Sequence, residues 1–272
     1  LPSWDTIGIT AHYTAQVWVR EGLPWAWRFD TAKGRLLYDA LEPLCKAARR
    51  FGLTTPPDFL VQRHRMLDAL VQRRAPAQLV ELACGLSPRG LALSHKQGIR
   101  CVDVDLPPMV QHKTRLAGAG LPAGYHLAAL DLIASRDYVR DLGPALEPVS
   151  PTVVITEGIL PYFPLVLQRH VFGCIAALLR ACGGGTYLTD VHHQQEVDRL
   201  PLDLGARFRW LQHLLARSPR YPMIADDAQG RAMLLDAGFQ QVVVHHPGEW
   251  QEKLDLPVRR IHSGLRVYEA SV

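Results

Sequence analysis

An α/β domain built on a mostly parallel sheet is predicted by three features of the sequence. From Ala77 onward, short apolar runs alternate with helical segments, the pattern of βαβ units. Before Ala77 the chain shows helical spacing instead. Four successive strand ends carry glycine, acidic or aromatic residues, and ligands of open α/β sheets sit beyond the carboxyl ends of the strands. The 272 residues are therefore read as one structural domain, a helical extension over 1–75 and an α/β core over 76–272.

The extension opens with a helix through Thr10 to Arg20, a stretch without Gly or Pro. Leu36, Leu37, Ala40, Leu41, Leu44, Ala47 and Ala48 form an apolar stripe, in which Pro43 either kinks the helix or starts a new one. Gly52 and Pro56-Pro57 break the chain, and a further helix runs from Asp58 to Arg73 with Leu60, Val61, Leu67, Leu70 and Val71 inward.

Strands are expected at 78–82, 99–104, 126–130, 152–156, 186–189, 241–245 and 265–268, with helices at 107–117 and 165–180. The link to the last strand holds Pro247 and Pro257 without a helical stripe, which favours an antiparallel final strand.

Composition excludes several classes. Apolar residues at 48% and charged residues at 21% are globular values, so a disordered chain is set aside. A spanning helix needs about 20 apolar residues, and each long run is interrupted, so no membrane association is expected. No signal peptide is recognised at the start. Five scattered cysteines without a C-x-x-C pair read as reduced thiols of a cytoplasmic protein and offer no metal site. A net charge of +4 without an aromatic-rich basic stretch gives no nucleic-acid partner. Arg49-Arg50, Arg73-Arg74 and Arg259-Arg260 are read as solvated surface.

The strand ends hold the chemistry. Glu81-Leu82-Ala83-Cys84-Gly85-Leu86-Ser87-Pro88-Arg89-Gly90 is a small-residue loop between strand and helix, either a tight turn or a close approach to a ligand. It is not a dinucleotide G-x-G-x-x-G. Asp103 and Asp105 stand where a carboxylate accepts ribose hydroxyls, or caps the helix at Pro107. Asp131 ends the third strand, to receive an adenine amino group or to cap a helix. Glu157 and Tyr162 follow the fourth, either where a substrate would meet a cofactor or in an ordinary loop.

These segments resemble the motifs of the leucine carboxyl methyltransferase family, which includes bacterial natural-product O-methyltransferases. The resemblance runs from about Thr10 to the last strand and implies a Rossmann-like class I methyltransferase fold, with an antiparallel strand, that uses S-adenosyl-L-methionine. By similarity the cofactor site takes in Arg63, Glu81, Ala83, Gly85, Asp103, Asp105, Asp131, Leu132 and Glu157. Gly85 would lie against the cofactor, and Asp105, with Asp103 as competitor, would bind the ribose. Asp131 and Leu132 would contact the adenine, and Glu157 would close the site. Arg63, in Gln62-Arg63-His64-Arg65-Met66-Leu67-Asp68, matches the arginine that holds the methionine carboxylate, while Arg65 is placed to pair with Asp68 at i,i+3. The chain departs from the family in two places: Ala83 replaces the first glycine of the loop, which a negative φ would tolerate, and Ser87-Pro88-Arg89 replaces an Asp-Thr-Arg type segment.

The resemblance points to methylation of a carboxylate or hydroxyl on a small molecule or peptide. A carboxylate acceptor needs no base, whereas a hydroxyl benefits from one, with His192, His193, Tyr162 and His12 as candidates. The segment from Asp190 to Tyr221, rich in arginine, reads either as pocket lining together with Tyr13, Trp18 and Tyr162 or as an amphipathic surface helix. Two other readings stay open: a nicotinamide-dependent oxidoreductase, and a non-catalytic S-adenosylmethionine-binding protein.

Overall fold

The computed structural model describes residues 4–148, 150–198, 221, 223–259 and 264–272. The extension comprises α1 (Trp4–Arg20), α2 (Ala32–Arg50) and α3 (Pro56–Arg74). α2 passes through Pro43 without a break, so Pro43 neither starts a helix nor ends one. α3 opens where the Asp58 carboxylate takes the Thr55 backbone N–H at 2.9 Å, with prolines in the first turn. It ends at Ala75, in the left-handed region.

The core follows as β1 (Gln78–Leu82), α4 (Arg89–Gln97), β2 (Arg100–Asp105), α5 (Pro107–Ala117) and β3 (Tyr125–Ala129). Then come α6 (Tyr138–Leu142), β4 (Thr152–Thr156), α7 (Leu165–Ala181), β5 (Gly185–His192) and α8 (Gln194–Asp198). The chain closes with α9 (Asp227–Asp236), β6 (Gln241–His245), α10 (Pro247–Leu254) and β7 (Leu265–Ser271). α10 is a correction: Pro247 reads as a breaker in the sequence but sits in the first turn, the position where its missing N–H costs nothing.

The seven strands form one sheet in the order β3-β2-β1-β4-β5-β7-β6, parallel from β3 through β5, with β7 antiparallel to both β5 and β6. The expected α/β architecture with an antiparallel last strand is therefore observed. Side chains alternate between the two faces. Val80, Leu82, Val102, Val104, Val154 and Tyr187 pack with Val171, Phe172 and Ile175 of α7. Leu79, Cys101, Val153, Ile155 and Leu188 pack with Met66, Leu67, Leu70 and Val71 of α3. The extension thus contributes a core layer: α3 lies on one face of the sheet and brings Arg63 and His64 to the loop after β4.

Candidate functional site

The parallel register brings Leu82 of β1 level with Val104 of β2 and Thr156 of β4, so the loops after these strands open at one edge. Seven side chains from α3, β1, α4, the β4 loop and β5 meet there in one polar network. Arg63 donates from Nε to Glu157 Oε1 at 3.0 Å and from Nη1 to Asp190 Oδ2 at 3.4 Å. Arg89 donates to Asp68 Oδ1 at 2.5 Å, to Glu81 Oε1 at 2.5 Å and to Glu157 Oε2 at 2.7 Å. His64 Nδ1 lies 2.8 Å from an Arg89 nitrogen, which can only donate. The same ring nitrogen lies 3.1 Å from Glu157 Oε2, and Nε2 faces Asp68 at 3.6 Å.

The electrostatics follow from burial against pairing. Burial by itself would raise the Glu157 carboxyl, but Arg89, His64 and Arg63 outweigh it and hold it well below the usual carboxylate range. At Glu81 burial prevails over Arg89 and pushes the carboxyl up to about 7. Gly158 completes the corner: its φ of +72° suits glycine, its N–H reaches Asp190 Oδ1 at 2.6 Å, and a Cβ would stand 2.6 Å from the Arg63 guanidinium.

The other expected residues separate into those near the open edge and those locked beneath it. Asp105 ends β2 half-buried, with Oδ2 accepting from Gly85 N–H and Oδ1 from Leu106 N–H, both at 2.7 Å. It thereby binds the glycine loop to β2 and does not cap α5. Asp103 is wholly buried, between Lys113 Nζ at 2.7 Å and Tyr125 OH at 2.6 Å. Its carboxylate is taken up by those two groups and lies against Gly90 of α4. Glu81 is likewise buried under Arg89 and Ser87, supporting the loop from below. Asp131 is exposed and accepts from the Ile133 and Ala134 N–H groups of a turn, with no helix starting there for it to cap, while Leu132 is buried beside it.

Ala83 corrects a second expectation. Its φ is +53°, so the methyl group sits in a conformation that glycine adopts without cost. Arg65 corrects a third: it reaches Glu21 at 3.2 Å and the Asp255 carbonyl at 2.9 Å, because Asp68 is drawn inward to Arg89. Arg49 pairs with Glu42 and Asp58, Arg259 with Asp58, and Arg73 and Arg74 with Glu269, so these arginines are not merely solvated charges.

The candidate bases fall in different places. His192 is buried edge-on to Phe59 of α3, ring centres 5.1 Å apart, on the side of the network. His193 faces Tyr268 OH at 2.8 Å and Asp227 at 3.4 Å, and burial with Arg266 lowers it to about 4. His12 bonds Thr31 and is lowered to about 4 by burial, with His112 and Lys33. Tyr162 reaches Thr10 at 3.4 Å, and burial raises its hydroxyl. Tyr13 and Trp18 are core residues, Trp18 lying 4.2 Å from the His64 ring. Residues 199–220, the arginine-rich segment, lie outside the described residues.

Arg89, His64, Asp68 and Asp190 were not singled out as site residues by sequence reasoning. One signal existed for Arg89. A cation at the first position of a helix opposes the helix dipole, so its presence there calls for carboxylate partners.

Strand order and site together define a Rossmann-like α/β fold of the class I methyltransferase type. The chain belongs to the leucine carboxyl methyltransferase family, whose sequence pattern matches residues 15–176 and so takes in α3 and the loops after β1, β2 and β4. A protein of Mycolicibacterium gilvum provisionally named as an S-adenosyl-L-methionine-dependent methyltransferase is 32% identical over 155 residues, covering 54% of this chain and 50% of that protein. The chain spans about half the length of the curated relatives it matches. Among solved structures, a provisionally named methyltransferase from Thermobifida fusca superposes with a TM-score of 0.63 at 15% identity, over 99% of this chain and 94% of that one. A provisionally named O-methyltransferase from Nostoc punctiforme gives 0.53 at 15% identity, over 79% of this chain and 57% of that one. At these identities the structural likeness concerns the fold. No helix among the described residues is long and apolar enough to cross a membrane.

Proposed function

We propose that the protein is an S-adenosyl-L-methionine-dependent methyltransferase acting on a carboxylate or hydroxyl oxygen of a small molecule or peptide. The observation that carries this reading is the junction of the Ala83–Gly85 turn, Asp105 and the Arg63–Glu157–Arg89 network at one sheet edge, in a chain of this family.

The residues present fit the cofactor. Each Asp105 oxygen accepts one backbone N–H and keeps a lone pair for a ribose hydroxyl. Among the described residues a Cβ at Gly85 would meet Ala11 alone, at 3.4 Å, so a ligand can approach the turn closely. Arg63 commits two of its five N–H donors to Glu157 and Asp190, leaving donors for a methionine carboxylate. The two guanidiniums of the network face four carboxyl groups, Asp68, Glu81, Glu157 and Asp190, and that acidic surplus suits a ligand carrying ammonium and sulfonium charge. When bound, the cofactor supplies an already activated methyl group. The chain's own work is to hold the acceptor oxygen about 3–3.5 Å from it and to exclude water.

Titration calorimetry with S-adenosylhomocysteine tests the site. We expect binding that survives a chelator, and a loss in Asp105→Ala of about 1–3 kcal/mol for the missing hydrogen-bond partner. Asp131→Ala tests the adenine contact in the same way. Methyl transfer to paired carboxylate and hydroxyl acceptors, followed against pH, tests the reaction. A carboxylate acceptor requires no base, whereas a hydroxyl acceptor should show a base-dependent limb that His192→Asn alters. Binding of NAD in place of S-adenosylhomocysteine would overturn the proposal.

A further inference from the structure

Helix α2 packs on α1 and turns its other side to solvent, and beyond Lys33 in the first turn that side carries six apolar residues. Leu36, Ala40, Pro43, Leu44, Ala47 and Phe51 recur at helical steps and are all exposed. Leu36, Leu44 and Phe51 keep 72%, 69% and 79% of their accessible surface. At 100° per residue the six fall within an arc of about 100°, a single stripe along a helix about 28 Å long. Isolated exposed apolar residues are ordinary, but a continuous stripe marks a contact surface.

The pattern also indicates what covers it. Reversed about the midpoint between Pro43 and Leu44, the stripe maps onto itself: Leu36 onto Phe51, Ala40 onto Ala47, Pro43 onto Leu44. The charges beside it follow the same reversal. Asp39, Lys46 and Arg50 share one flank of the stripe, and Asp39 reversed falls between Lys46 and Arg50. In an antiparallel two-fold pair, Asp39 would stand about 3 Å along the axis from both cations of the partner. Asp39 and Lys46 are 62% and 71% exposed, pair with Arg20 and Glu42 among the described residues, and can be shared. Alanines at 40 and 47 permit close approach of the axes, and the larger Leu36 and Phe51 fill the ends.

We propose that α2 is the interface of an antiparallel homodimer, with the two-fold axis passing beside Pro43 and Leu44. One helix pair falls short of the roughly 1,200–2,000 Å² of a standard stable interface, so the dimer dissociates in the micromolar range.

Sedimentation equilibrium on the full chain decides this. Leu44→Glu sets two carboxylates face to face at the axis and should raise the dissociation constant at least about tenfold. Lys46→Asp with Arg50→Asp places acid against Asp39 of the partner and should raise it about three- to tenfold; adding Asp39→Lys should return it to within about twofold. Circular-dichroism melts confirm that each variant is folded. A wild-type chain that stays monomeric at about 200 μM, a dimer indifferent to Leu44→Glu, or no recovery in the charge-reversed variant would each overturn the proposal.

Discussion

Arg89 and Glu157 stand 68 positions apart in the chain and meet at 2.7 Å beneath the open edge of the sheet. Through that contact the first turn of α4 is tied to the loop after β4, and both are tied to α3 by Asp68 and Arg63. The network is a brace between the helical extension and the core. Removal of Arg89 takes the paired cation from buried Glu81, which keeps the Ser87 hydroxyl, and leaves Glu157 to Arg63 and His64. Arg89→Ala should therefore cost about 3–5 kcal/mol in denaturant unfolding, and Arg89→Lys, lacking the planar fork, should recover less than half of it.

Arg63→Ala should weaken S-adenosylhomocysteine binding at least about tenfold, whereas Arg65→Ala should change it less than about threefold. The two side chains point about 200° apart on α3. Arg63 enters the network, and Arg65 lies at the surface against Glu21 and Asp255. Calorimetry on both variants, with melts as a folding control, checks the order; a larger loss in Arg65→Ala would refute the carried-over role of Arg63.

Gly90 has no room for a methyl group, since a Cβ there would stand 2.3 Å from Asp103 Oδ1. That oxygen belongs to a carboxylate already held by Lys113 and Tyr125. Gly90→Ala should destabilise the fold by about 1–3 kcal/mol, read as a fall in the urea midpoint.

Ala83→Gly should have the opposite sign. The left-handed backbone at φ +53° strains an alanine by about 1–2 kcal/mol, offset in part by the greater unfolded-state entropy of glycine. A net stabilisation of about 0.5–1 kcal/mol is expected from thermal melts.

Acid should weaken a second brace. Burial would raise the Glu269 carboxyl, but His245, Arg74 and Arg73 lower it to about 2. A depressed folded-state value means that its contribution is complete above about pH 4.5 and is lost as pH falls toward 2. Because Arg73 and Arg74 are about half exposed, solvent screening reduces that contribution to about 1–2 kcal/mol. In Arg73→Ala/Arg74→Ala the loss of stability between pH 4.5 and 2 should be visibly shallower than in the parent.

The chain's own pattern determined the strands, while the helix opened by Pro247 was not legible in it. Strand period, helix stripes and proline positions placed every strand of the sheet within a few residues, because these signals act locally along the backbone. The acidic strand ends were legible for the same reason: a carboxylate after an apolar run is visible without knowing its neighbours. Tertiary structure alone decided which of them stand at the edge and which are buried. Asp103 and Asp105 differ by two positions and share a strand face, yet Lys113 and Tyr125 bury one while the Gly85 loop holds the other at the edge. Arg89 gave only its awkward place at a helix start. Its partners come from α3, β1 and the β4 loop, up to 68 residues away, and which carboxylates it meets depends on how the layers pack, a relation that one-dimensional spacing does not encode.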